Sequence, residues 1–258
     1  MLLHPEDPAA DRNVTRDHYN RLAASYDENW AYSPAFVEWM SECIRRRLRI
    51  TSGDLVADIG CGTGLYARGL AGQASAVVCV DQSAAMLSQL PADDRLIPIV
   101  ASVEEVAAGR VVLPHASFDA MLLKEVLHHV GDRAPVITGL AGLLRPGGRM
   151  LVAMLPKTID YPLFAAALDL YASHQPDPVG VAVQMRAAGL EAELTDESFP
   201  LAFPADRYLR MVRNRYMSLL AYFDDDQLEA GVEEIRRAHR GEEITFADRF
   251  AFILGVKR

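Results

Sequence analysis

Val56-Ala-Asp-Ile-Gly-Cys-Gly-Thr-Gly64 is the stretch on which the reading of this chain turns. A short apolar run ends at Ile59, and glycines then alternate at 60, 62 and 64 before a helical pattern begins near Leu65. Glycine tolerates positive φ and lets a ligand approach backbone that a Cβ would hold off, so this turn is built to cradle something. Working outward, Ala76–Val80 is a second apolar run, and it ends on Asp81. A carboxylate at the end of the next strand can accept hydrogen bonds from both hydroxyls of a ribose. Turn and acid together point to an adenosine-containing ligand at the C-terminal edge of a sheet.

The same alternation of apolar run and helical stretch continues to about Met154. Ser83 caps a helix running to Leu90, Leu96–Val100 is a third strand, Phe118–Leu123 a fourth and Arg149–Met154 a fifth. Pro98 places the third strand near a sheet edge. Nearly continuous apolar strands fit a parallel sheet covered by helices on both faces, and right-handed crossovers make it a doubly wound α/β core. In the flanks, Tyr19, Leu22, Tyr26 and Trp30 follow a helical period, as do Phe36, Trp39, Met40 and Ile44. Helices are expected over Pro162–Ser173 and Pro178–Ala188, a strand over Glu191–Phe199, a helical insertion over Pro204–Arg240 and a last strand over Ile244–Val256.

The chain has 258 residues, half of them hydrophobic, with 26 Lys plus Arg against 35 Asp plus Glu and a formal charge of −9. That is globular composition, and its acidity argues against a protein built to coat nucleic acid or an anionic membrane. Cys43, Cys61 and Cys79 form no CxxC pair, which excludes a disulfide scaffold and argues against a Cys-rich zinc site. No apolar run has the length of a membrane span, and Met1–Arg16 is too polar for a signal or transit peptide. A cytoplasmic chain is expected.

A dinucleotide fingerprint would carry its third glycine inside the helix, where Leu65 stands. Asp58, just before the loop, would repel a diphosphate and suit the ammonium of an amino-acid moiety. Asp58-Ile-Gly-Cys-Gly-Thr-Gly64, Asp81, Phe118-Asp119, Val126-Leu-His-His-Val130 and Leu144-Arg-Pro-Gly-Gly-Arg149 resemble the successive motifs of class I S-adenosylmethionine-dependent methyltransferases, in particular the type-11 methyltransferase domain. The resemblance covers about residues 54–154. It implies an α/β, Rossmann-like, doubly wound seven-stranded sheet with the last strand antiparallel, and S-adenosyl-L-methionine as cofactor. One domain over 1–258 is expected, with a helical N-terminal lid over 1–50, the cofactor-binding core over 54–154 and substrate-side cap helices and strands over 155–258.

Position by position, the resemblance sets Asp58, Gly60, Cys61 and Gly62 against the methionyl part and Asp81 on the ribose, with Gln82 and Met86 near the adenine. Ser102 stands where the family commonly has an adenine-reading acid; Ser102 and the Val103 backbone take that place, with Glu104 the other candidate. Lys124 and Glu125 border the transferable methyl. His128 and His129 are the candidate general bases, imidazole being suited to proton transfer near neutral pH; the other reading is that one of them packs the helix start. Adjacent side chains diverge, so the pair predicts no metal site.

The flanks supply the candidate acceptor contacts. Tyr19 and Tyr26 lie on the first helix, Tyr161 follows the fifth strand, and Arg213 and Tyr216 belong to the Arg-rich run Arg207–Tyr216. Arg213 would recognise an anionic group; alternatively the run is a solvated basic face paired with Asp224–Asp226 and Glu229. The leading expectation is methyl transfer to a small, possibly anionic molecule, with no nucleic-acid or membrane partner. An RNA or protein methyltransferase, a cofactor-binding module without transfer activity and an NAD-dependent oxidoreductase are the rivals. Composition and spacing leave the oligomeric state open.

Overall fold

The computed structural model describes residues 19–21, 23, 26–27 and 32–258. Leu22 and Trp30, singled out by spacing, lie outside the described residues. Seven strands form one sheet: β1 (Leu55–Ile59), β2 (Ala76–Asp81), β3 (Leu96–Val100), β4 (Phe118–Lys124), β5 (Leu144–Met154), β6 (Leu190–Pro204) and β7 (Glu243–Lys257). Their order is β3-β2-β1-β4-β5-β7-β6. The first five pair in parallel, and β7 runs antiparallel between β5 and β6. This is the expected Rossmann-like sheet, with Pro98 on edge strand β3.

Period-two alternation sends successive side chains to opposite faces and so builds two cores. Val56, Val77, Cys79, Leu122, Phe250 and Phe252 pack on one side, against helix α1 (Pro34–Leu48) and the helix α2 (Ala67–Ala71) that follows the glycine loop. Ala57, Ile59, Val78, Val80, Met121, Leu123 and Ile253 pack on the other. There they meet α5 (Arg133–Gly142) and α7 (Pro178–Ala187), while α3 (Ala84–Leu87) and α4 (Val103–Ala107) are short crossover helices. Lys124, two positions beyond Leu122, shares the α1 face with Asp248 and Phe250.

The cap is built from α6 (Ala165–His174), α8 (Ala205–Arg213), a 3-10 turn at Ser218–Tyr222 and α9 (Asp225–Ala238). The continuous insertion expected over Pro204–Arg240 is broken twice. Arg215 takes φ 54°, a left-handed conformation that ends helical winding. Asp224 and Gln227 then restart it with a reciprocal capping box, Asp224 accepting from Gln227 N and Gln227 from Asp224 N. Strands β6 and β7 run longer than read, because their pairing extends without a break from Leu190↔Lys257 to Pro204↔Glu243.

Candidate active site

Strand order reverses between β1 and β4, and a parallel sheet opens its ligand crevice at the C-terminal ends of the strands at such a point. The loops after β1, β2, β3, β4 and β5 converge there. Gly60 takes φ +71° and Gly62 +57°. A Cβ at Gly60 would stand 2.4 Å from Val126 Cγ2, so the turn closes tightly on the loop after β4.

Three recesses meet in this crevice. The first, of about 810 Å³, is lined by Gly60, Gly62, Asp81, Gln82, Met86 and Ala101–Glu104. The second, of about 480 Å³, holds Asp58, Cys61, Thr63, Tyr66 and Leu122. The third, of about 830 Å³, opens under the cap between His128, Leu170, Tyr171, His174, Gln175 and Met217–Leu219, with Tyr222. Tyr26, Lys124 and Glu125 belong to all three. Tyr19 and His129 belong to the first and third.

Asp81 is held for use. Its Oδ2 accepts from Gly62 N at 2.9 Å and its Oδ1 from Ser83 N at 2.8 Å, which leaves a lone pair on each oxygen facing the first recess. Burial raises its pKa, and the two N–H groups pull it back. Ser102 is the N-cap of α4: its Oγ accepts from Glu105 N at 3.2 Å and its own N–H donates to Glu105 Oε2 at 2.9 Å. The Ser102 backbone donor is therefore spent, and the orphan N–H groups of Val103 and Glu104 at the helix start remain as donors on that wall.

Burial, reinforced by the Asp81 charge and opposed by Lys124, raises the Asp58 pKa to about 7. Glu125 takes φ 55° right after β4. Its N–H continues the ladder to Ala153 O at 2.9 Å, and its Oε1 accepts from Leu155 N at 2.7 Å. A non-glycine left-handed residue is strained, and this strain is what turns the carboxylate into the junction. Burial also raises Glu125 and lowers Lys124. The Lys124 Nζ lies 5.3 Å from the Tyr66 ring centroid and 5.0 Å from that of Phe250. One buried and two half-buried carboxylates against one ammonium make these walls suited to a ligand carrying positive charge.

His129 Nε2 and Tyr19 OH lie 2.9 Å apart, and the two rings meet edge-on. Ser218 of the cap is also in hydrogen-bonding reach of the Tyr19 hydroxyl. His128 sits deeper; burial, then Arg133 and Lys124, lowers its pKa to about 4, so it is neutral at physiological pH. Its Nδ1 is buried with no partner among the described residues.

Three expected acceptor contacts are not brought to this crevice. Tyr161 is 3% exposed, donates to Asp248 Oδ1 at 2.8 Å and packs on Phe246, because its hydroxyl needs a partner once the ring is buried. Tyr216 lies 3.1 Å, oxygen to oxygen, from Tyr208, in the layer between cap and sheet. Arg213 points outward and grips Glu229 with Nε and Nη2 at 2.8 and 2.7 Å, the charge-pair reading of that run. Sequence reasoning missed Tyr66, Tyr171, Gln175, Met217, Ser218 and Tyr222, and gave no weight to His174; none carries a motif or a period that marks it. Among the described residues, no helix is long and apolar enough to cross a membrane, and no cluster of His, Cys, Asp and Glu could hold a metal ion.

Known proteins resemble this chain over the same parts. Residues 57–152 match the model of a methyltransferase domain family. A ubiquinone biosynthesis O-methyltransferase of Xanthomonas euvesicatoria pv. vesicatoria is 30% identical over 240 residues, covering 83% of this chain and 96% of that one. Among solved structures, a protein assigned as a methyltransferase of an antibiotic biosynthesis pathway in Anabaena variabilis superposes with a TM-score of 0.63. It is 18% identical, and the match covers 84% of this chain and 96% of that one. Haemonchus contortus phosphoethanolamine N-methyltransferase 2, crystallised with S-adenosyl-L-methionine, gives a TM-score of 0.59 at 19% identity, over 94% of this chain and 60% of that one.

Proposed function

The chain belongs to the class I S-adenosylmethionine-dependent methyltransferases, and from that premise we propose that it methylates a hydroxyl oxygen of a small molecule held in the third recess. Donor and reaction class come with the family; the oxygen acceptor and the residue roles are the proposal. The observation that carries it is the three-way junction at Tyr26, Lys124 and Glu125. A sulfonium sulfur has three substituents, and here three recesses meet at one point: one for the nucleoside, one for the amino-acid part and one toward which the methyl would face. The acidic walls also match a cofactor with sulfonium and ammonium charges.

The bound cofactor supplies a methyl carbon already activated by the positive sulfur. In this reading Asp81 receives the ribose hydroxyls, Val103 N–H and Gln82 border the adenine, and Asp58 takes the ammonium. Glu125 and Tyr26 hold the junction closed to water, which leaves positioning as the main contribution. Transfer to the acceptor oxygen would leave the donor as a neutral thioether, so what these residues would have to manage is the hydroxyl proton. The hydroxyl proton passes to His129 Nε2, directly or through the Tyr19 hydroxyl. Neutral His128 backs the third recess.

Oxygen as the accepting atom is supported by the name of the Xanthomonas relative and by the His129–Tyr19 pair, which gives a leaving proton somewhere to go. Lys124 is the one Lys or Arg among the described lining residues of the three recesses. An anionic acceptor is therefore read here as one whose charge develops on the reacting oxygen, beside Lys124. The test is a panel of phenols and naphthols incubated with S-adenosylmethionine, with S-adenosylhomocysteine and methyl ether measured together. Stoichiometric formation of both is expected; methylation of bulk RNA, or of amines alone, would overturn the oxygen-acceptor reading.

A further inference from the structure

Strand β5 ends at Met154, so the peptide groups of Leu155, which is buried, and of half-buried Pro156 have lost their ladder partners. Three side chains from elsewhere replace those partners. Glu125 Oε1 accepts from Leu155 N at 2.7 Å, Gln175 Nε2 donates to Leu155 O at 2.6 Å, and Tyr171 OH donates to Pro156 O at 2.8 Å. All three line the third recess. Gln175 is only 6% exposed, and its orientation is set, since its nitrogen must be the atom facing a carbonyl. Its Oε1 is consequently an acceptor fixed in the wall, and no donor among the described residues reaches it.

We propose that Gln175 is the specificity-determining residue of the acceptor recess: its Oε1 receives a second hydrogen-bond donor on the substrate, distinct from the oxygen that is methylated. The inference rests on reading the third recess as the acceptor site. Glu125 and Gln175 hang from the N–H and the C=O of one residue, so junction and recognition group are separated by no more than one residue's backbone and two hydrogen bonds. A compact dihydric aromatic molecule spans that gap. Leu170, Met217 and Leu219 supply apolar contact for its ring, and Tyr222 lies beside them. A buried amide left without its donor is costly, which is why such a site rejects a substrate lacking the second group far more strongly than an apolar wall would.

The probes are 2-naphthol and the naphthalenediols, assayed with S-adenosylmethionine. Wild-type protein is expected to favour its best diol over 2-naphthol by at least about 100-fold in kcat/KM, and Gln175→Met to cut that ratio to within about threefold by raising KM for the diol. Dissociation of S-adenosylhomocysteine should be the same in both proteins. Equal turnover of diols and 2-naphthol by the wild type overturns the proposal even if the variant does not fold; so does an undiminished ratio in Gln175→Met. Absence of turnover with every probe, in protein that binds S-adenosylhomocysteine, removes the acceptor-site reading and this inference with it. Turnover without discrimination removes the inference alone.

Discussion

The two halves of the crevice are made differently. On the β1–β3 side, Asp58, Gly60, Gly62, Asp81 and Gln82 come from strand ends and tight turns close together in sequence, and backbone N–H groups fix their geometry, as where Gly62 N–H donates to Asp81 Oδ2. On the cap side, Tyr19, Tyr171 with Gln175, and Ser218 come from three distant segments and are fixed by side chains reaching across the fold. The first half can be specified by a contiguous motif because local turns set it. The second exists only after the cap has packed on the sheet, which leaves it free to vary with the acceptor.

Removing the candidate base should give the largest effect. His129→Ala is expected to lower kcat about 10²–10⁴-fold while leaving S-adenosylhomocysteine affinity nearly intact, since it takes the proton acceptor from the junction and nothing from the ribose contacts. Rapid-quench or steady-state methyl transfer beside calorimetric binding checks this; a parallel fall in both would dissolve the distinction between the halves. Asp81→Ala should do the opposite, weakening S-adenosylhomocysteine binding by ~1.5–3 kcal/mol, roughly 10- to 150-fold, through loss of charged hydrogen bonds. Unchanged affinity would show that the ribose lies elsewhere.

A pH effect of intermediate size belongs to the cofactor side. Burial and the Asp81 charge raise the Asp58 carboxyl to about 7, with Lys124 offsetting only part of the rise. An ammonium placed there favours the carboxylate, so binding expels a proton, and affinity should climb as pH rises toward 7 and level off above it. The slope approaches tenfold per pH unit below the free-state value. Calorimetry of S-adenosylhomocysteine from pH 5.5 to 8 (roughly the span of that titration) measures it, and Asp58→Asn should flatten the curve. The smallest effect is expected at Arg213→Ala. Its ion pair with Glu229 is exposed, so turnover should not change and the melting temperature should move by no more than about 2–4 °C. A lost preference for acidic acceptors would return that arginine to the site.

Legibility followed the same division. The segments that form β1 to β5, the edge position of Pro98 and the loop at 58–64 could be read because each rests on neighbours within one turn or strand. Tyr161 and Tyr216 show where that reading failed. Their spacing was seen, but which way an amphipathic tyrosine faces depends on the polar atoms it meets on packing: Asp248 for one, Tyr208 for the other. Arg213 failed as a substrate contact for a related reason, since Glu229, 16 positions on, reaches it first. Gln175 was invisible because its significance comes entirely from a carbonyl on Leu155 that β5 leaves unpaired.

What the amino-acid order determined alone was the parallel core and the glycine turn with its facing carboxylate at the edge of the sheet. Apolar period, glycine placement and a carboxylate at the end of β2 act over short stretches of chain, where covalent connection keeps the partners adjacent. What the tertiary structure decided was the junction of the three recesses, the pairing of Tyr19 with His129, and the walls of the third recess. Those depend on which unsatisfied backbone and side-chain groups meet when distant segments are buried together, and burial is a property of the whole fold.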